Sequence, residues 1–192
     1  MKVIGIAGGS ASGKSTLAAA MSDVLRGSDT SLVCEIMSLD HYVLDDKSQG
    51  PWVTMPTTGE NIFNWNHPDS YDIEKIVGHV LARGTVVESP DFLVVEGLMA
   101  LHFTKLRDTM DLKVFVELEA DNRALRRLLR DIQGGRTSTD PQFIAEYYLT
   151  SAQPGHNAFV EPSRTHADIV VRGNSNALES AQRIVAIARY AA

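Results

Sequence analysis

The sequence contains one cysteine, Cys34, which excludes an intrachain disulfide and a cysteine-rich zinc site. No apolar stretch comes near the roughly 18–20 residues of a membrane span. Met1-Lys2 runs straight into a strand-like segment with no signal-peptide cleavage pattern. Basic residues are in deficit, 18 Lys and Arg against 24 Asp and Glu for a formal charge of −6, which argues against a general binder of nucleic acid or anionic membrane. Internal repeats, low-complexity tracts and linkers are also lacking. A soluble protein of the reducing cytoplasm is the expectation. What is present is an ordinary globular composition, 44% hydrophobic and 22% charged over 192 residues, suited to one domain spanning 1–192 with one core.

Short apolar runs recur at 2–7, 32–37, 92–95, 112–118 and 168–171. Each is the length of a strand buried on both faces, and helix-like or loop sequence separates each from the next. Helical spacing begins at Lys14 and stops at Gly27, and recurs over 73–81 after a capping Asp72, over 122–133 before Gly134-Gly135, from Asp140-Pro141, and over 176–190, where Asn176 and Glu179 form a capping box. Alternating strands and helices predict an α/β protein with a parallel sheet covered on both faces. Residues 40–70 carry Gly50-Pro51, Pro56, Gly59 and Pro68 without sustained periodicity, and read as an irregular functional excursion.

Residues 8–15, GGSASGKS, fit the pattern Gly, four residues, Gly-Lys-Ser, between a buried strand and a helix. Gly8, Gly9, Ser10, Ala11, Ser12 and Gly13 would curl so that successive N–H groups face one concavity, aided by the helix N-terminus. Lys14 would reach the β- and γ-phosphates of ATP, Ser15 would ligate a Mg2+ that bridges phosphate oxygens, and Thr16 lies close enough for the α-phosphate. The partner carboxylate of such a site belongs at a strand end, which Glu96 supplies after the run 92–95.

Asp40 closes the second strand on the same sheet edge, where a carboxylate could orient an attacking hydroxyl and take its proton. The competing reading of Asp40 is a loop cap. In the helix 122–133, Arg123, Arg126, Arg127 and Arg130 fall on one side and Leu125, Leu128, Leu129 and Ile132 on the other. Asp131 reads as lying off the arginine face, so the comb is uncompensated and implies an anionic partner. With Gly134-Gly135-Arg136 it suggests a helical lid, about 123–140, that closes over ATP and excludes water. Tyr42, Trp65 and His67 could line an acceptor pocket or pin the long loop. Tyr147 and Tyr148 suit core packing or stacking on adenine.

GGSASGKS, Asp40-His-Tyr, FNWNHPDSYD (63–72), VVEG (94–97), DNRALRRLLRDIQGGR (121–136) and the stretch from Pro154 through FVEP to HAD (166–168) together resemble the uridine kinase and phosphoribulokinase-like P-loop kinases. The similarity runs over about 2–173. It implies a three-layer αβα P-loop NTPase fold with a five-stranded parallel sheet and a helical lid. It also implies transfer of the ATP γ-phosphate, with Mg2+, to the primary hydroxyl of a small-molecule ribosyl acceptor. By position, Lys14 and Ser15 serve phosphate and metal, Glu96 the metal, Asp40 the base, and Arg127, Arg130 and Arg136 the lid and acceptor side. The acceptor substrate would meet Asp40, Tyr42, Trp65, Asn66, His67 and Arg130. Two departures stand out. Asn66 replaces the family's ribose-gripping aspartate, and the stretch between Arg83 and Glu96 is too short for the hairpin with which uridine kinases read the pyrimidine. Tyr147 also replaces a glutamine. A sugar or sugar-acid kinase and a nucleotide-dependent regulatory NTPase are the alternatives. The expected partner is a small-molecule substrate, with neither nucleic acid nor membrane, alone or in a homo-oligomer.

Overall fold

A computed structural model describes residues 1–134 and 138–190. All five buried-strand runs form strands: β1 (Lys2–Gly8), β2 (Cys34–Ser38), β5 (Phe92–Glu96), β6 (Leu112–Glu117) and β7 (Ile169–Arg172). They make one parallel sheet in the order β2-β5-β1-β6-β7. Alternation along β1 sends Val3 to one face and Ile4 and Ile6 to the other. On the first face, Val3, Leu93, Val95 and Phe115 pack against Ile76 and Val80 of α2 (Ile73–Arg83) and Leu106 of the short α3 (Thr104–Arg107). On the second, Ile4, Ile6, Val94 and Val114 pack against Leu17, Met21 and Leu25 of α1 (Lys14–Ser28) and Ile184 and Val185 of the last helix, α6 (Ala177–Tyr190). Both faces are thus closed by helices, as a parallel sheet requires. Cys34 is free and buried at the start of β2, and burial raises its thiol pKa. No described helix is long and apolar enough to cross a membrane.

The capping residues act as their types dictate. Asp72 accepts from Lys75 N at the start of α2, Asp140 from Gln142 N at the start of α5 (Pro141–Tyr147), and Asn176 Oδ1 from Leu178 N. The helical run beyond α5 widens to π geometry over Tyr148–Ala152 and again over His156–Val160. Each wide stretch precedes or follows a proline, Pro154 or Pro162, that cannot donate to the ordinary ladder.

The excursion 40–70 differs from its reading as irregular. It contains an antiparallel hairpin, β3 (Trp52–Thr54) with β4 (Asn61–Phe63), pairing Trp52 with Phe63 and Val53 with Ile62. Its turn is tied to α5, where Glu146 Oε1 accepts from Thr57 N at 2.5 Å. Three-residue strands are too short to present a period, so the pairing rests on the Trp52–Phe63 edge-to-face contact.

Candidate active site

The parallel register brings the carboxyl ends of β1, β2 and β5 to one edge, with Ile6 and Ser38 both opposite Glu96. The chain leaves β1 through the glycine-rich loop, in which Ala11 (φ 61) and Gly13 (φ 105) both occupy the left-handed region. Gly13 precedes α1, and no side chain caps that helix. A helix that starts uncapped presents its first N–H groups and its positive dipole end to the cavity in front of it. Lys14 Nζ donates to the Gly9 carbonyl at 2.9 Å, and Ser12 N donates to the same oxygen at 3.1 Å, so the curl is closed on itself. Gly8, Gly9 and Ser12 shape the loop from behind, while Ser10, Ala11, Gly13, Lys14, Ser15 and Thr16 line the cavity.

That cavity, of about 440 Å³, is completed by Asp40, Glu96, Arg126 and Arg130. Ser15 Oγ donates to Glu96 Oε1 at 3.2 Å. A hydroxyl and a carboxylate held side by side against a phosphate cradle fit a Mg2+ ion, which takes few protein ligands and completes its shell with phosphate and water. The described residues hold no cluster of three or more His, Cys, Asp and Glu ligands, so the donor set does not suit a zinc-type centre.

A second cavity, of about 390 Å³, adjoins the first and is lined by Ser38, His41, Trp65, Asn66, Tyr71, Arg127 and Tyr147. Ser10, Asp40, Leu98 and Arg130 border both cavities. Asp40 therefore stands at their junction, as does Arg130. A smaller cleft of about 140 Å³ continues from Gly13, Thr16 and Arg126 to Arg172, Gly173 and Ser175, and Arg126 Nη1 donates across it to the Gly173 carbonyl at 2.9 Å.

The arginine helix, α4 (Ala120–Ile132), turns Arg123 and Arg127 inward and leaves Arg126 exposed. Arg123, Arg127 and Asp131 are buried, whereas Leu125 and Leu129 are 60% and 62% exposed. Asp131 corrects the reading of an uncompensated comb: its Oδ2 is 3.4 Å from Arg127 Nε, one turn away, and its Oδ1 accepts from Arg130 Nε at 2.7 Å. Arg127 also reaches Ser10 Oγ at 3.5 Å and sits 5.3 Å from the centre of the Tyr147 ring. The i+4 spacing of Arg127 and Asp131 was the available signal.

Trp65 and Asn66 line the second cavity, but the amide hydrogens of Asn66 are committed, donating to Tyr147 Oη at 3.2 Å and Ser151 Oγ at 2.9 Å. Ser151 in turn donates to Asn64 Oδ1 at 2.6 Å. Burial raises the Tyr147 phenol pKa and keeps it a donor at neutral pH. Tyr42 and His67 are not brought to the cavity: Tyr42 Oη pairs with His79 Nδ1 at 2.6 Å, and His67 packs edge-on against Phe159 at 4.8 Å. Each pins the long loop instead. Arg136 lies outside the described residues.

A family model for the phosphoribulokinase / uridine kinase family matches residues 69–179. A uridine kinase from Chlamydia pneumoniae is 33% identical over 196 residues, covering 91% of this chain and 82% of its own. Among solved structures, a Silicibacter sp. TM1040 protein described as a fructose transport system kinase superposes with a TM-score of 0.68 at 18% identity, over 88% of this chain and 89% of its own. The shikimate kinase of Acinetobacter baumannii superposes with a TM-score of 0.54 at 13% identity, over 99% and 94%. At these identities the two structures bear on the fold alone.

Proposed function

The chain belongs to the phosphoribulokinase / uridine kinase family, and from that premise we propose that it transfers the γ-phosphate of ATP to a primary hydroxyl of a ribosyl, nucleoside-like acceptor. The observation that carries this reading is the junction at Asp40, which borders both the cavity of the phosphate loop and the cavity of Trp65 and Asn66. ATP lies with its phosphates on the loop and Lys14, and with its base in the cleft beside Arg126 and Gly173. The acceptor occupies the second cavity with its hydroxyl toward Asp40. Asp40 orients that hydroxyl and accepts its proton as the new O–P bond forms and the bond to the leaving ADP breaks. Arg130 and Lys14 stabilise charge on the transferring group. Mg2+ bound at Ser15 and Glu96 would neutralise charge on the β- and γ-phosphates. These placements rest on the chemistry of the residue types and their common edge.

A non-nucleoside acceptor is the second reading. Only residues 84–91 separate α2 from β5, and the described ones include no strand, so the hairpin that reads pyrimidine in uridine kinases has no counterpart at that position. Incubation with Mg·ATP and separate panels of nucleosides, sugars and sugar acids, with ADP release as readout, tests both. Turnover on a nucleoside supports the first reading, and turnover on a sugar or sugar acid alone supports the second. Acceptor-independent hydrolysis stimulated by a protein partner would overturn both.

A further inference from the structure

Behind the phosphate loop, outside both cavity linings, lie two buried groups that the proposed chemistry does not use. Arg123 of α4 and His156, at the start of the second π stretch, are 4% and 7% exposed. Arg123 Nε donates to the Leu118 carbonyl at 3.0 Å. His156 Nε2 lies 3.2 Å from Glu161 Oε2, which puts the imidazole proton on that nitrogen and leaves Nδ1 as an acceptor. Nδ1 is buried and has no hydrogen-bond partner among the described residues.

Both side chains converge on Gly9. A Cβ built there would fall 2.4 Å from Arg123 Nη1 and 3.0 Å from His156 Nδ1, so only glycine permits this approach. The opposite side of Gly9 is the carbonyl that receives Lys14 Nζ and Ser12 N. Burial, Arg123 and Lys14 push the His156 pKa down to about 4, so the imidazole is neutral and adds no repulsion to its cationic neighbours.

We infer that Arg123 and His156 are a positioning pair for the nucleotide: they fix Gly9, and through its carbonyl Lys14, from behind, and Arg123 sets a desolvated positive charge beneath the phosphates without touching them. An unpartnered buried acceptor is costly to keep. Space-filling alone would be served better by an apolar side chain, whereas an arginine behind an anion cradle acts at a distance in a medium of low dielectric. The inference rests on the reading of the loop as an ATP site.

The test measures Kd for Mg·ATP by titration calorimetry, KM for ATP and for the acceptor, and Tm, in the wild type and in Arg123→Gln, Arg123→Lys, His156→Ala and His156→Asn. Arg123→Gln is expected to weaken Mg·ATP binding on the order of 10-fold, with Arg123→Lys recovering most of the loss. His156→Ala is expected to raise KM for ATP several-fold while leaving the acceptor KM within about two-fold, and His156→Asn, which keeps an acceptor near the Nδ1 position, to restore part of it. A space-filling role would lower Tm and the active fraction but leave Kd for Mg·ATP unchanged in the folded protein, and that result overturns the inference. If Arg123→Gln does not fold, Arg123→Lys and the two His156 variants decide it by the same criterion. A wild type that fails to bind Mg·ATP refutes the ATP-site reading itself, an outcome distinct from normal wild-type binding with unaffected variants.

Discussion

Replacing Asp131 by asparagine isolates what holds the two acceptor-side arginines. The carboxylate is 2% exposed and engages Arg127 Nε and Arg130 Nε with different oxygens, at 3.4 and 2.7 Å. Asparagine keeps the volume and one acceptor oxygen, but it turns an NH2 group toward one of the guanidiniums and removes the charge. The loss at Arg127, which is 9% exposed, is that of the carboxylate charge 3.4 Å from its buried guanidinium, an ion pair without a hydrogen bond at Nε, and leaving that buried charge less compensated costs about 1.5–3 kcal/mol. Arg130 is 39% exposed and keeps solvent as an alternative, so its share is no more than about 0.5 kcal/mol. A total of about 2–3 kcal/mol, at roughly 2–4 °C per kcal/mol for a chain of this size, lowers Tm by about 5–10 °C. Activity should suffer more than stability. Both arginines line the cavity proposed for the acceptor, and a misplacement of about 1 Å can cost on the order of 100-fold in rate. We expect kcat/KM for the acceptor to fall about 10–100-fold in Asp131→Asn while Kd for Mg·ATP, set by the phosphate loop, changes by less than about three-fold. Thermal denaturation and steady-state kinetics on the same preparation check this. A variant whose Tm lies within about 2 °C of wild type and whose kcat/KM is within about two-fold would refute the role given to Asp131.

Asp40→Asn should lower kcat by about 10²–10⁴ with little change in Mg·ATP affinity, measured by ADP release and calorimetry, and an unimpaired kcat would remove Asp40 as the base. The depressed His156 pKa carries a pH signature. The unfolded imidazole takes a proton below about 6.5, while the folded one, with its pKa lowered to about 4, does not. The unfolded state therefore binds more protons between those values, and stability falls as the pH drops through that window. Melting curves from pH 7 to 4 should show a steeper fall for wild type than for His156→Gln, and equal slopes would contradict the burial of a neutral imidazole. Leu125→Gln and Leu129→Gln, on the exposed side of α4, should change stability by less than about 0.5 kcal/mol. A larger loss in denaturant melts would mean that this face is covered in solution.

The sheet was legible because strands buried on both faces leave unbroken apolar runs, and all five runs became strands of one sheet. Asp72 and Asp140 were readable as caps because short acidic side chains bond the first-turn amides locally. The orientation of α4 was not legible. A pattern of arginines opposite leucines states that the helix has two faces, and only the tertiary structure states which one the body accepts. Here Arg123 and Arg127 go inward while Arg126 stays exposed, and Asp131 supplies an internal counter-charge to Arg127 and Arg130. The hairpin of β3 and β4 was hidden by its length, and the choice between lining a pocket and pinning the loop was not legible for Tyr42 and His67, because adjacency in sequence to Asp40 and Asn66 says nothing about which neighbour each ring meets. Arg123 was legible as part of the arginine comb, but the approach of Arg123 and His156 to Gly9 was not. They come to Gly9 only because two separate helical segments pass beneath the same turn.

Asp40 and Arg130 border both cavities, so the two compartments meet at these two side chains. On the proposed reading, water that entered the empty acceptor side would meet the terminal phosphate with Asp40 beside it. Fidelity toward the intended alcohol then depends on how fully that alcohol displaces solvent. A poorly fitting guest should be betrayed by wasted ATP before it is betrayed by a slow product.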